Sequence, residues 1–365
     1  MKFWQILLLP FSLIYGLITW FRNLFYDTDI FKSKEFDLKL ICVGNISAGG
    51  TGKTPLVEYL IRLLSSEIEI AVLSRGYGRK TSVFTIADEN STAKDIGDEP
   101  RLYKQKYKQI TVAVDNNRAN GIINLMNYSS NINCILLDDA FQHRRVKAGL
   151  SIVLTDYNHL FLNDFLLPSG TLRESKNGMN RADIIIVSKT PENLSAVEKK
   201  RLIKDIAPKP YQHLYFSYIK YGEFQSGTEQ TDNKGSAFYF KENYHILLFT
   251  GIANNNPIKE YLYAKVDHVD IVTYPDHHSY SEKDIIKLEQ HFASIANEKK
   301  IIITTEKDYM RLQKANLLNI FGTAPLFYLP IETAFHEPDK QEFNQHILKY
   351  VRTNKINSNT LEKYR

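Results

Sequence analysis

The sequence predicts an α/β protein in which a parallel sheet is covered by helices on both faces, followed by a second, smaller lobe of the same kind. Three observations carry this. Apolar runs of strand length alternate with helix-spaced segments from residue 40 to residue 188. The first join between strand and helix, residues 44–55, is rich in glycine. The alternation then resumes near residue 245, after a polar stretch over residues 226–236. The expected organisation is a membrane-associated helix over 1–26, a nucleotide-binding domain over 27–210, a two-stranded, hairpin-like linker over 211–241, an α/β/α lobe over 242–353 and a polar tail over 354–365.

Composition sets the bounds. At 365 residues, with 43% hydrophobic and 24% charged residues, the chain has the make-up of a globular protein with room for two domains. A net charge of +5 is modest. It suits an anionic membrane surface or a phosphorylated substrate, and equally an ordinary solvated surface. Nucleic acid is not expected as a partner. Cys42 and Cys134, the two cysteines, lie in apolar runs and read as small buried hydrophobes rather than as a disulfide or metal pair.

In chain order, Phe3 to Phe21 carries no charge and approaches the length of a membrane span, interrupted by Pro10 and Gly16. No small-residue cleavage site follows, as a secretory signal would require. A membrane-anchoring or membrane-dipping helix is favoured over a soluble core helix, with Trp4, Trp20 and Tyr26 near its ends. Arg22, Lys32, Lys34 and Lys39 then place the following domain in the cytoplasm. Leu40–Val43 reads as a buried strand and Leu56–Leu64 as a helix. Between them lies Gly44-Asn-Ile-Ser-Ala-Gly-Gly-Thr-Gly-Lys-Thr-Pro55. Strand, glycine-rich turn, Gly-Lys-Thr and helix is the phosphate-cradling arrangement of P-loop NTPases, although Ser47 stands where the usual pattern has glycine. Ser47, Ala48, Gly49, Gly50, Thr51, Gly52, Lys53 and Thr54 are therefore expected to bind ATP. Lys53 would reach the outer phosphates and the Thr54 hydroxyl would bind Mg2+.

Further strands are expected at 68–74, 110–114, 134–139, 152–155 and 184–188, with an edge strand at 83–87 and helices near 101–107 and 121–127. Beyond residue 211 two β segments are read at 211–221 and 237–240. The second lobe has strands at 245–252, 268–273, 300–305 and 325–329, and a helix at 282–296. Asp138 and Asp139 end an apolar strand in the sheet that carries the glycine-rich loop, the placement of a second magnesium-coordinating motif. Asp98 and Glu99 follow Gly97 in a loop, where a carboxylate can share a metal or take a proton from a hydroxyl. Arg75, Arg118 and Arg173, with Arg144 and Arg145, sit at strand ends or in loops near the edge where α/β proteins bind ligands; the first three are assigned to substrate. His277 and His278 follow a strand of the second lobe, and their spacing alone favours no role. Ser188-Lys189-Thr190 resembles the start of a guanine-specificity motif, but Pro191 replaces the expected Asp, so no guanine preference follows.

Together these motifs resemble the tetraacyldisaccharide 4'-kinase family of lipid A biosynthesis. The matching stretches, in family order, are 44–55, Ser74-Arg-Gly-Tyr-Gly78, Gly97-Asp-Glu-Pro100, Leu137-Asp-Asp-Ala-Phe-Gln-His-Arg144, Leu167-Pro-Ser-Gly-Thr-Leu-Arg-Glu174, Arg181-Ala-Asp183, Pro275-Asp-His277 and Thr305-Glu-Lys-Asp308. The resemblance implies ATP-dependent phosphorylation of the 4'-hydroxyl of tetraacyldisaccharide 1-phosphate at the cytoplasmic face of the inner membrane of a Gram-negative bacterium. It implies Asp98 as general base with His277 as its partner, Lys53 neutralising the transferring phosphoryl group, and Thr54, Glu99, Asp138 and Asp139 around Mg2+. Ala140-Phe141 and Asn116-Asn117 depart from the family's usual residues, and His278 leaves open which ring pairs with Asp98. Two other classes match the residues less well. A membrane-associated ATPase switch would carry a lysine where Ala48 stands, and a GTP-dependent metallochaperone would need a Cys/His motif that is missing.

Overall fold

A computed structural model describes residues 3–228, 233–276 and 278–353. It divides into two compact units, Met1–Ile219 with Thr333–Arg365, and Lys220–Glu332.

The larger unit is organised on a nine-stranded sheet. Its strands are β1 (Lys39–Asn45), β2 (Ile70–Ser74), β3 (Thr85–Ile86), β4 (Thr111–Val114), β5 (Cys134–Asp138), β6 (Leu150–Asp156), β7 (Ile184–Ser188), β8 (His213–Tyr221) and β14 (Ile331–Phe335), in the order β14-β8-β7-β6-β1-β5-β2-β4-β3. From β8 to β4 every neighbouring pair is parallel; β3 runs antiparallel at the edge. Successive side chains of a strand point to opposite faces, so β1 feeds two cores. Ile41 and Val43 join Leu56 and Leu60 of α2 (Lys53–Leu64) and Phe343 and Ile347 of α11 (Asp339–Arg352). Leu40 and Cys42 join Ile122 and Leu125 of α5 (Arg118–Tyr128) and Leu202 of α6 (Ala196–Ile206). Burial on both faces explains why these strands are almost continuously apolar.

The smaller unit carries a five-stranded sheet of order β11-β10-β12-β13-β9. β10 (His245–Thr250), β11 (Val269–Thr273), β12 (Lys300–Thr305) and β13 (Leu326–Leu329) are parallel, and β9 (Gln225–Ser226) is antiparallel to β13. α8 (Asn256–Tyr263) and α9 (Glu282–Ser294) pack on opposite faces, through Ile258 and Leu262 and through Ile285 and Leu288.

Two expectations are corrected. Residues 237–240, read as β, form the short helix α7 (Ser236–Lys241). Its aromatic run suits a strand by propensity, but Tyr239 is buried against Phe224 and Phe327 while Phe238 and Phe240 flank it, and packing overrides propensity. The second strand of the two-stranded link is instead β14, the neighbour of β8. The chain leaves the larger unit within β8 and returns within β14, so residues 333–353 belong with the first sheet rather than with the lobe expected to end at 353. Phe343 and Ile347 of α11 are fully buried there.

α1 (Phe3–Asp27) is the long N-terminal helix. Its inward stripe is polar: Ser12 and Thr19 are buried, and Gln5, Tyr15 and Asn23 are half-buried. Its outward face is apolar, with Leu7, Phe11, Leu13, Ile14, Leu17 and Ile18 exposed. That is the reverse of a helix packed on a water-soluble domain. The stretch is long and apolar enough to cross a membrane by length and composition.

Candidate active site

The glycine-rich loop joins β1 to α2. Gly49 and Gly52 adopt left-handed φ values of +110° and +87°, which side chains disfavour, and Gly52 caps α2 directly before Lys53. Gly44 answers a close approach: a Cβ there would sit 2.5 Å from the Cβ of Phe141. Ser47 needs no glycine because its backbone is paired with Leu172. On either side of it the Ala48 N–H donates to Thr171 O at 2.6 Å and the Arg173 N–H donates to Ile46 O at 2.7 Å. The loop is closed by the Asn45 side chain on Thr51 Oγ1 (2.9 Å) and by Ser188 Oγ on Thr51 O (2.7 Å). Lys189, itself at φ +58°, reaches Gly50 O and Asp156. The loop thereby ends at the N-terminus of α2, the kind of place where an anion can be held.

Four side chains expected around a metal diverge into two roles. The Thr54 hydroxyl donates to Glu99 Oε1 at 3.0 Å. Glu99 and the exposed Asp98 open α4 (Asp98–Lys106). Gly97, at φ +93°, precedes them, and a Cβ there would meet the Gly76 backbone at 3.0 Å, so the two glycine turns pass backbone to backbone. Asp138 ends β5 and is buried; Oδ2 accepts from the Tyr103 hydroxyl at 3.4 Å and Oδ1 has no hydrogen-bond partner among the described residues. Burial, with Glu99 and Asp139 alongside, pushes its carboxyl up to about 7. Asp139 turns out of the strand at φ +46°. Arg173 donates to both its oxygens, at 2.9 and 3.0 Å, and Lys53 stands 3.6 Å away. Burial acts to raise this carboxyl, but Lys53 and Arg173 outweigh it and the net shift is downward. Asp139, expected with the metal set, is thus committed to two cations. Thr54, Glu99 and the unpartnered Asp138 Oδ1 remain as hard oxygen donors that fit a small divalent cation. Among the described residues no group of three or more His, Cys, Asp or Glu forms a closed cage. A cation that keeps waters and phosphate oxygens as ligands needs none.

Arg118, expected at the substrate, is only 2% exposed. Its guanidinium donates to Asp115 O at 2.5 Å and Asp138 O at 3.3 Å, tying the ends of β4 and β5 together. Burial lowers its pKa to about 10. It shapes the site rather than reaching out of it. Arg75 is exposed after β2 and Arg145 is exposed; Arg144 is bound to Asn23 O and Asp27. Two residues were not singled out from sequence. His143 is held neutral, lowered to about 4 by burial and then by Arg118 and Arg75. Glu174, fully buried, accepts from Arg181, Gln142 and Asn23. Both lie inside quoted motifs, which was the one available signal. In the smaller unit His278 bonds Asp284 at 3.2 Å and stacks on Tyr274. His277 lies outside the described residues.

Comparison with known proteins converges on one family. The family model for tetraacyldisaccharide-1-P 4'-kinase matches residues 4–352. The chain is 44% identical over 363 residues to the tetraacyldisaccharide 4'-kinase of Bacteroides thetaiotaomicron, covering 98% of this chain and 96% of that protein. It is 46% identical over 348 residues to the enzyme of the same name from Flavobacterium johnsoniae, covering 95% and 97%. It is also similar to a crystal structure of LpxK from Aquifex aeolicus in complex with ATP, with a TM-score of 0.71 and 26% identity over 95% of this chain and 99% of that one.

Proposed function

This chain belongs to the tetraacyldisaccharide-1-phosphate 4'-kinase family, and from that membership and the geometry of its glycine-rich loop we infer how it works. It is a kinase that transfers the γ-phosphoryl group of ATP to the 4'-hydroxyl of tetraacyldisaccharide 1-phosphate in lipid A biosynthesis.

Phosphoryl transfer asks the protein for alignment and charge stabilisation more than for covalent chemistry. Residues 47–54 cradle the phosphates, and Lys53 offsets charge on the transferring group. Thr54, Glu99 and Asp138 would hold Mg2+, which would supply neutralisation of the charge that develops on the phosphates. Asp139, fixed as an anion, sets the position of Lys53 and Arg173. Asp98, exposed at the start of α4 beside Glu99, takes the proton of the attacking hydroxyl. Arg75 serves the phosphorylated acceptor, while Arg173, expected there as well, is taken up by Asp139. The observation that carries this assignment is the Thr54–Glu99 bond at 3.0 Å, which joins the glycine-rich loop to the Gly-Asp-Glu-Pro turn.

A lipid acceptor calls for an enzyme at the bilayer surface. The outward apolar face of α1 supports membrane association, and its bonded inward stripe supports a helix lying in the interface rather than crossing it. The cytoplasmic face of the inner membrane of a Gram-negative bacterium fits Arg22, Lys32, Lys34 and Lys39 beyond the apolar run.

The test is ATP turnover with and without tetraacyldisaccharide 1-phosphate in detergent micelles, for wild type and Asp98→Ala. Acceptor-dependent product that collapses in the variant, with ATP still bound, is expected. Product formation untouched by Asp98→Ala would remove Asp98 as the base.

A further inference from the structure

The segment Leu166–Glu174 lies between the polar stripe of α1 and the glycine-rich loop and is bonded to both. On the α1 side, Ser12 Oγ accepts from the Ser169 N–H at 3.0 Å and lies 3.0 Å from Leu166 O. Tyr15 donates its hydroxyl to Arg173 O at 2.7 Å, and Asn23 donates to Glu174 at 3.1 Å. Gly16 brings the helix close: a Cβ there would sit 2.8 Å from Leu166. On the other side, Thr171 O and the Arg173 N–H bond to Ala48 and Ile46, and Gln142 bridges Glu174 (3.0 Å) to Asn45 O (2.7 Å). Arg173 is therefore held at three points: its carbonyl by Tyr15, its N–H by Ile46, and its guanidinium by Asp139, which in turn pairs with Lys53. Ser169 and Glu174 are fully buried and Leu172 nearly so, so this segment is packed in place rather than a loose surface loop.

We propose that Ser12 and Tyr15 of α1 are positioning residues for phosphoryl transfer, acting through Arg173 and Asp139 on Lys53, in addition to whatever membrane contact the outward face makes. The physical reason is that guanidinium placement requires a fixed backbone. The two backbone clamps on Arg173 orient its side chain, and Arg173 shares the charge of Asp139, so where the guanidinium sits sets how firmly that carboxylate holds Lys53. Loosening either clamp changes where the Lys53 ammonium sits relative to the phosphates while leaving the acceptor's own contacts alone.

The experiment uses the full chain with ATP and tetraacyldisaccharide 1-phosphate in detergent micelles. Ser12→Ala with Tyr15→Phe removes the bonds from α1 to this segment, the Tyr15 clamp on the Arg173 carbonyl among them, and leaves the Ile46 bond and the apolar face intact. A fall in kcat of about five- to thirtyfold is expected, with KM for the acceptor and partition onto lipid vesicles unchanged. In an Arg173→Met background the same pair should cost less than about twofold more, because residues in one network are not additive. Polar replacements on the outward face, Leu13→Gln, Leu17→Gln and Ile18→Gln, should do the reverse: weaker vesicle binding and a higher acceptor KM, with kcat kept at saturation. The proposal is overturned if Ser12→Ala with Tyr15→Phe keeps wild-type kcat, or if its loss is equally large without Arg173. It is also overturned if the fall in kcat only follows a fall in the folded fraction measured by thermal unfolding.

Discussion

Leu13, Leu17 and Ile18 are 70%, 58% and 63% exposed on a folded helix, and replacing all three by glutamine measures what that face is for. Full transfer of a leucine or isoleucine side chain out of water is worth about 2 kcal/mol. Scaled by these exposures, the three together contribute about 4 kcal/mol to insertion, roughly a thousandfold in the vesicle partition coefficient. Glutamine brings its own dehydration cost, so the loss should be no smaller. Sedimentation with anionic lipid vesicles gives the partition coefficient directly. Trp20, also outward at 51% exposure, supplies a second readout, a blue shift of its emission on insertion that the variant should lose. Because these side chains bury little on folding, the thermal midpoint of the free protein should not move. A partition coefficient within threefold of wild type would show that this face does not enter the bilayer, since about 0.7 kcal/mol is far below the transfer energy of three such residues. A large drop in the thermal midpoint would show instead that the face packs against the protein.

Asp138→Asn should abolish turnover yet stabilise the metal-free enzyme. The native carboxyl sits at about 7 against an unfolded value of 3.8, so the folded state binds this proton the more tightly. The stability this contributes is complete below the unfolded value and is lost as pH climbs through about 7. Thermal unfolding in a chelator should therefore show a gain for the variant at about pH 8 and none at about pH 4; an equal gain at both would refute it. Arg118→Lys should cost about 2–4 kcal/mol in denaturant unfolding, since one ammonium cannot serve the Asp115 and Asp138 carbonyls in Arg118's forked geometry. Wild-type stability would show that the fork is dispensable. His278→Ala should lose about 1 kcal/mol through the missing Asp284 bond and Tyr274 stack, with kcat unchanged; a collapse of kcat would give His278 the role assigned to its neighbour.

The glycine-rich join could be read from sequence because its chemistry is local. A phosphate cradle needs consecutive backbone N–H groups, two left-handed glycines and a following Lys-Thr, and all of these are contiguous from Gly44 to Thr54. The buried strands were legible for a related reason: a strand covered on both faces is apolar at nearly every position, whatever its partners. The Asp138-Asp139 pair was visible, but its division of labour was not. Only the fold puts Arg173, 34 residues further along the chain, on Asp139 and leaves Asp138 Oδ1 without a partner among the described residues.

Arg118 shows the same limit from the other side. Its position before a helix is compatible with a solvent-facing arginine, and its burial follows from Asp115 and Asp138 carbonyls that converge only when β4 and β5 take their places on either side of β2. The return of α11 to the first sheet, the helix at 236–241 and the inward polar stripe of α1 are likewise set by partners distant in sequence. The chain by itself determined the sheet, the nucleotide loop and the family, because each is written in neighbouring residues. Tertiary structure alone decided which charged groups are buried, which are paired and which way α1 faces, because desolvation and ion pairing depend on distances in space that no local pattern records.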